Sequence, residues 1–205
     1  GAFAGYSQVS HAASMFDISG LLKEGTNRLA VLNLKWCTGT YFEVQDKWRM
    51  TGIFRDVYLL KRPVVRLEDF YVHPEIAADG SSALLKTDFT FRGRGGVIKI
   101  RLYGPEGEPA GETETAIEAG AQAELEVAAP KLWSAEEPVL YTMVCRLPGE
   151  VIAQKIGFRR ITAENGILRI NGHPIRIKGV NRHDTDPVTG YTVSREHIRR
   201  DLILM

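Results

Sequence analysis

The chain has little of what usually identifies a protein at first reading. Its 205 residues hold two cysteines, Cys37 and Cys145, neither in a C-x-x-C pair nor in a Cys/His cluster. A disulfide-stapled scaffold and a zinc module are therefore excluded. The two thiols read as buried groups of a reducing compartment, which points to the cytoplasm. No run approaches the roughly 20 apolar residues of a membrane-spanning helix, and no signal peptide begins at Gly1. Lys plus Arg is 26 against 25 for Asp plus Glu, so the bulk field offers no footprint for nucleic acid or an anionic membrane, and neither is expected as a partner. Internal repeats and low-complexity tracts are absent as well. What remains has the composition of a globular protein, with room for one large domain or two modest ones.

Strand-like patterning dominates. Asn27 to Leu34 and, in part, Gly52 to Leu60 alternate apolar with polar or small residues, as half-buried strands of an antiparallel sheet do. Phe16–Ser19 followed by Leu21–Gly25 reads as a short helical turn closed by glycine. Residues 1–62 hold too few such runs for a complete sandwich, so they are expected to be the C-terminal part of a β-domain. Lys61-Arg62-Pro63 marks a boundary. Seven strand-like runs follow, at about 64–73, 83–91, 97–103, 110–117, 122–128, 139–147 and 150–158, the pattern of an immunoglobulin-like sandwich without the Cys…Trp…Cys spacing. Among the separating turns, Gly93-Arg94-Gly95-Gly96 opens no helix, so a phosphate loop is rejected in favour of a hairpin turn.

From Gly157 the texture changes. Strand 167–170 turns at Asn171-Gly172 into a predicted strand 175–180. The polar tip Asn181-Arg182-His183-Asp184 comes next, then Ser194 as N-cap of a helix over Arg195 to Met205 with Ile198, Leu202 and Met205 on one face. Strand, tip and helix together form the opening of a βα-barrel, in which the C-terminal ends of the strands hold the chemistry. The chain is thus expected to be the front portion of something larger.

Two segments could carry function. Tyr41 to Asp56 mixes aromatics with charges around Asp46, and aromatic faces with carboxylates are what sugars require. The alternative is a loop whose Trp48 and Phe54 plug a core while Arg49, Arg55 and Asp56 pair as ions. The run His183-Asp184-Thr185-Asp186 could bind a divalent ion by residue type, but its spacing matches no ligand signature. Only its place at a barrel strand's end distinguishes His183 from His11, His73, His173 and His197.

Residues 45–57 (QDKWRMTGIFRDV), Pro130-Lys131-Leu132-Trp133-Ser134 with Glu137-Pro138 and Leu140-Tyr141, Gly157-Phe158-Arg159, and Ile170-Asn171-Gly172 through Gly179-Val180-Asn181-Arg182-His183 occur in one order along nearly the whole chain. In these blocks the chain resembles glycoside hydrolase family 2, and within it the β-galactosidases. The resemblance implies a mainly β chain: residues 1–62 as part of a jelly-roll sugar-binding domain, 63–158 as an immunoglobulin-like sandwich, and 159–205 as the first βα unit of a (β/α)8 TIM barrel. It implies retaining hydrolysis of terminal β-D-galactosides by two carboxyl groups about 5–5.5 Å apart, both glutamates beyond Met205, so the fragment alone is expected to be inactive. By the same resemblance, Asp46 contacts the sugar and a sodium ion, His183 contacts the sugar, and magnesium serves the full-length enzyme, a homo-oligomer. Where close β-galactosidases carry further acidic and histidine residues, this chain has Asp184-Thr185-Asp186-Pro187, which leaves the sugar preference open. A β-glucuronidase or β-mannosidase of the same family, or a non-catalytic carbohydrate-binding or scaffolding module, are the alternatives.

Overall fold

The computed structural model describes residues 1–9, 11–42, 48 and 50–205. The chain divides into two units, residues 59–179 and residues 1–58 with 180–205.

In the first unit, seven antiparallel strands form two sheets: β1 (Arg66–Ile76), β2 (Ser82–Arg92) and β5 (Gln122–Ala128) in the order β1-β2-β5, and β3 (Val97–Tyr103), β4 (Pro109–Ala116), β6 (Tyr141–Leu147) and β7 (Glu150–Ile156) in the order β4-β3-β6-β7. Period-2 patterning sets their faces. Ile98, Ile100 and Leu102 of β3 and Ala123, Leu125 and Val127 of β5 point inward, while Lys99, Arg101, Glu124 and Glu126 between them stay wet. With Leu85, Phe89, Met143 and Cys145 they fill one core between the sheets, each large side chain contributing roughly 1.5–3 kcal/mol by burial. All seven predicted runs are strands of this immunoglobulin-like sandwich.

One turn assignment changes. Gly93–Gly96 joins strands of different sheets, so it is a crossover and not a hairpin turn. Gly93, Gly95 and Gly96 lie at φ +84°, +95° and +91°, a left-handed backbone that glycine adopts freely, and Gly95 and Gly96 pair with Ile117 across the end of the sandwich.

Beyond the sandwich, β8 (Ile161–Glu164), β9 (Ile167–Ile170) and β10 (His173–Pro174) form a small sheet. β8 was not foreseen, although its turn, Asn165-Gly166, is a two-residue hairpin signal with both φ values positive. The predicted strand 175–180 is not formed. The ladder ends one bond past Pro174, with Ile175 N–H on the Leu168 carbonyl. A barrel strand is stabilised by neighbours on both edges, and no described segment forms a ladder with residues 176–180.

In the second unit the described residues include the turn Ser19–Leu21, α1 (Thr38–Phe42) and α2 (Arg195–Leu204). The runs at 27–34 and 52–60 form no strand, and Leu29, Leu32, Tyr58 and Leu59 are exposed. Alternation prepares a chain for a sheet, but a strand is stable only against a paired edge, which no described segment supplies. Cys145 is fully buried, as expected; Cys37 is exposed, against expectation, because its segment joins no core. None of the described helices is long and apolar enough to cross a membrane.

Candidate functional site

Ser194 opens α2 as predicted, its Oγ accepting the His197 N–H at 3.1 Å. The helix then presents His197 and Asp201, one turn apart and on one face, to the tip that precedes it. Arg182 donates from Nε and Nη2 to Asp201 Oδ2 at 3.0 and 2.6 Å, and from Nη1 to Asp184. The two ring nitrogens of His197 face different carboxylates, Nδ1 lying 3.2 Å from Asp186 Oδ2 and Nε2 3.4 Å from Asp201 Oδ2. Asp186 Oδ1 accepts the N–H groups of Val188 and Thr189, both at 2.8 Å, and these two bonds, more than His197, hold its carboxyl below the ordinary value. The Arg182 fork does the same for Asp201. Beside them Tyr191 packs against Phe54 and His11, with ring centroids 5.7 and 5.0 Å away.

His183 lies between Arg182 and Asp184 with its side chain exposed. Its backbone carbonyl accepts the Thr185 N–H at 3.0 Å. Asp46 lies outside the described residues. Phe54 is half-buried as the core-plug alternative required, whereas Trp48 is 74% exposed and plugs nothing. The His183–Asp186 run forms no metal centre: Asp184 and Asp186 are taken up by Arg182 and His197, and among the described residues no three His, Cys, Asp or Glu side chains converge. The sequence reading gave His197 and Asp201 no place in the network that joins them to Arg182 of the tip. The His–Asp spacing of four on a predicted helix was the available signal.

Several of the other motif blocks meet away from this tip, at one end of the sandwich. Trp133 N–H donates to the Phe158 carbonyl at 2.8 Å. The Trp133 ring lies beneath the Arg159 guanidinium, 4.7 Å from its centroid. A Cβ on Gly157 would come within 3.1 Å of Trp133 Cβ, so only glycine fits there without a shift. Tyr141 accepts the Lys131 N–H at its hydroxyl, 2.9 Å away, and packs edge-on against the fully buried Phe158, much as the tyrosine corner does in such sandwiches. Asn171 closes the joint: its Oδ1 accepts from Arg160 N–H at 2.9 Å, and its Nδ2 donates to the Trp133 carbonyl at 3.0 Å.

A β-sandwich braced to a small hairpin, followed along the chain by a charged tip and its helix, is the layout of a modular β protein. Residues 1–63 match the sugar binding domain of glycosyl hydrolases family 2, residues 65–159 a second model described simply as glycosyl hydrolases family 2, and residues 161–205 the family's TIM barrel domain. The chain belongs to glycosyl hydrolases family 2. It is 46% identical over 99% of its length to a β-galactosidase of Actinobacillus pleuropneumoniae and 43% identical over 99% to one of Staphylococcus xylosus, and it spans 20% of the length of each. A solved Ruminococcus gnavus β-glucuronidase superposes on 69% of the chain, itself covered to 23%, with TM-score 0.61 and 27% identity.

Proposed function

We propose that this chain is the front portion of a retaining β-galactosidase that hydrolyses terminal β-D-galactosides, with domains at 1–62, 63–158 and 159–205 and the catalytic pair of carboxyl groups outside it. The observation that carries this reading is the 41–46% identity, over the whole chain, to relatives named β-galactosidases. Asp46 and His183 act as sugar-positioning groups, neither serving as acid/base or nucleophile. Sodium at Asp46 and magnesium in the full-length enzyme are what the family resemblance implies. The full-length enzyme is a cytoplasmic homo-oligomer. A β-glucuronidase is the second reading, favoured by the likeness to the Ruminococcus gnavus enzyme.

Kinetics on paired chromogenic β-galactosides and β-glucuronides separate the two. The full-length enzyme is expected to prefer the galactoside, and the 205-residue chain to hydrolyse neither. A charge-assisted hydrogen bond to a sugar hydroxyl is worth roughly 1.5–3 kcal/mol, so Asp46→Ala and His183→Ala should each lower kcat/KM by about 10- to 150-fold. Asp46→Ala should also abolish any sodium response. Wild-type kinetics in both variants would remove these residues from the site.

A further inference from the structure

Arg182 and Asp184 flank His183 and are bonded to each other, while Arg182 is also forked onto Asp201 of α2. Both flanking side chains are thereby committed, and His183 is left on the open side, where it is exposed. An isolated surface ion pair contributes little. Here the guanidinium is only 19% exposed, and the Asp201 carboxylate that receives it also faces His197, whose other nitrogen faces Asp186. Arg182 makes both hydrogen bonds to Asp201, and the His197 ring lies between that carboxylate and Asp186, so Arg182 is the principal member and His197 the auxiliary one. Asp186 in turn closes the 186–190 turn, through the Val188 and Thr189 N–H groups and the paired Asp186 and Gly190 backbones.

We propose that Arg182 and Asp201, backed by His197 and Asp186, are a positioning brace that fixes the Asn181–Asp184 tip against α2 and presents His183 outward to the sugar. The His183 clause rests on the glycosidase reading above; the brace itself does not.

The test uses the full-length protein with Asp201→Asn, which keeps the size and loses the charge, and Arg182→Lys, which keeps the charge and loses the fork. Each is made alone and combined with His183→Ala. Amide exchange over 181–190 should rise roughly tenfold or more in either brace variant, while β3 and β6 stay as in the wild type. On the β-galactoside, kcat/KM should fall roughly tenfold in the wild-type background and less than about twofold in the His183→Ala background, because a group acting only through His183 then has nothing left to position. Unchanged exchange at 181–190 overturns the brace whatever the substrate. Equal losses in both backgrounds overturn its action through His183. An enzyme indifferent to β-galactosides sinks the substrate reading instead, and the same cycle is then measured on the glycoside that it does hydrolyse.

Discussion

Replacing Asn171 separates the side-chain part of the joint from its backbone part. Asn171 stands at φ +51°, in the left-handed region that asparagine tolerates better than alanine, for which the cost is about 1–2 kcal/mol. Its amide also makes the two bonds to Arg160 and Trp133, each worth about 0.5–1.5 kcal/mol net. Asn171→Ala loses both bonds and takes on the backbone strain, a destabilisation of roughly 2–5 kcal/mol. Asn171→Gly loses the same bonds without the strain, although its freedom in the unfolded chain offsets part of that relief, so alanine should be the worse variant by roughly 0.5–1.5 kcal/mol. Native-state hydrogen exchange is the assay, because tenfold in protection corresponds to about 1.4 kcal/mol of opening free energy. Amides of β8 and β9 should lose protection by roughly 10-fold or more in Asn171→Ala and by less in Asn171→Gly, with β3 and β6 little changed. Equal protection of β8 and β9 in the alanine variant would falsify the claim that this residue ties the hairpin to the sandwich. A glycine variant worse than alanine would show that the left-handed backbone carries none of the effect.

The Cys145 thiol, fully buried and pushed up to about 11 by desolvation, should resist a thiolate-selective reagent at pH 8 while exposed Cys37 reacts; labelling of both at one rate, read by mass spectrometry, would mean that the sandwich core opens freely. Asp186 and Asp201 sit below the ordinary carboxylate value, so their bonds contribute in full above about pH 4 and are lost as the pH falls through the depressed values. Exchange over 181–201 should therefore stay flat from pH 7 to about 5, after correction for intrinsic rates, and rise only in stronger acid; a rise already at pH 6 would assign the stabilisation to another group.

The sandwich was legible because its strands are local statements. Ile98-Lys99-Ile100-Arg101-Leu102 and Ala123-Glu124-Leu125-Glu126-Val127 declare both period and face, and the turn residues bound them. The path between sheets was not legible, since Gly93–Gly96 has the composition of a hairpin turn whichever sheet the next strand joins. Patterning also overreached: 27–34, 52–60 and 175–180 carry strand-like residues, but patterning states a preference and pairing requires a partner. The ion network failed to show for the converse reason. Arg182, Asp186, His197 and Asp201 are ordinary surface types in sequence, and only the return of α2 onto the tip gives them common partners.

Resemblance blocks and chemical sites are different things in this chain. Lys131–Ser134, Tyr141, Gly157–Arg159 and Asn171 are separated by as much as 40 positions, yet they converge on one joint whose contacts are packing, a cation–π contact and hydrogen bonds between side chains and backbone. Each is explained by what it touches: glycine because Trp133 fills the space that a Cβ would need, tyrosine because a backbone N–H must be met at the mouth of the core, asparagine because a left-handed turn must also bond two neighbours. None of these reasons involves a substrate. The Asn181–Asp184 block is of another kind, since Arg182 bonds Asp184 and Asp201 while His183 between Arg182 and Asp184 is exposed. On the glycosidase reading proposed above, an exposed ring flanked by bonded neighbours is the group that a sugar would meet. By that criterion the tip, and not the more densely bonded joint, is the place to look for function.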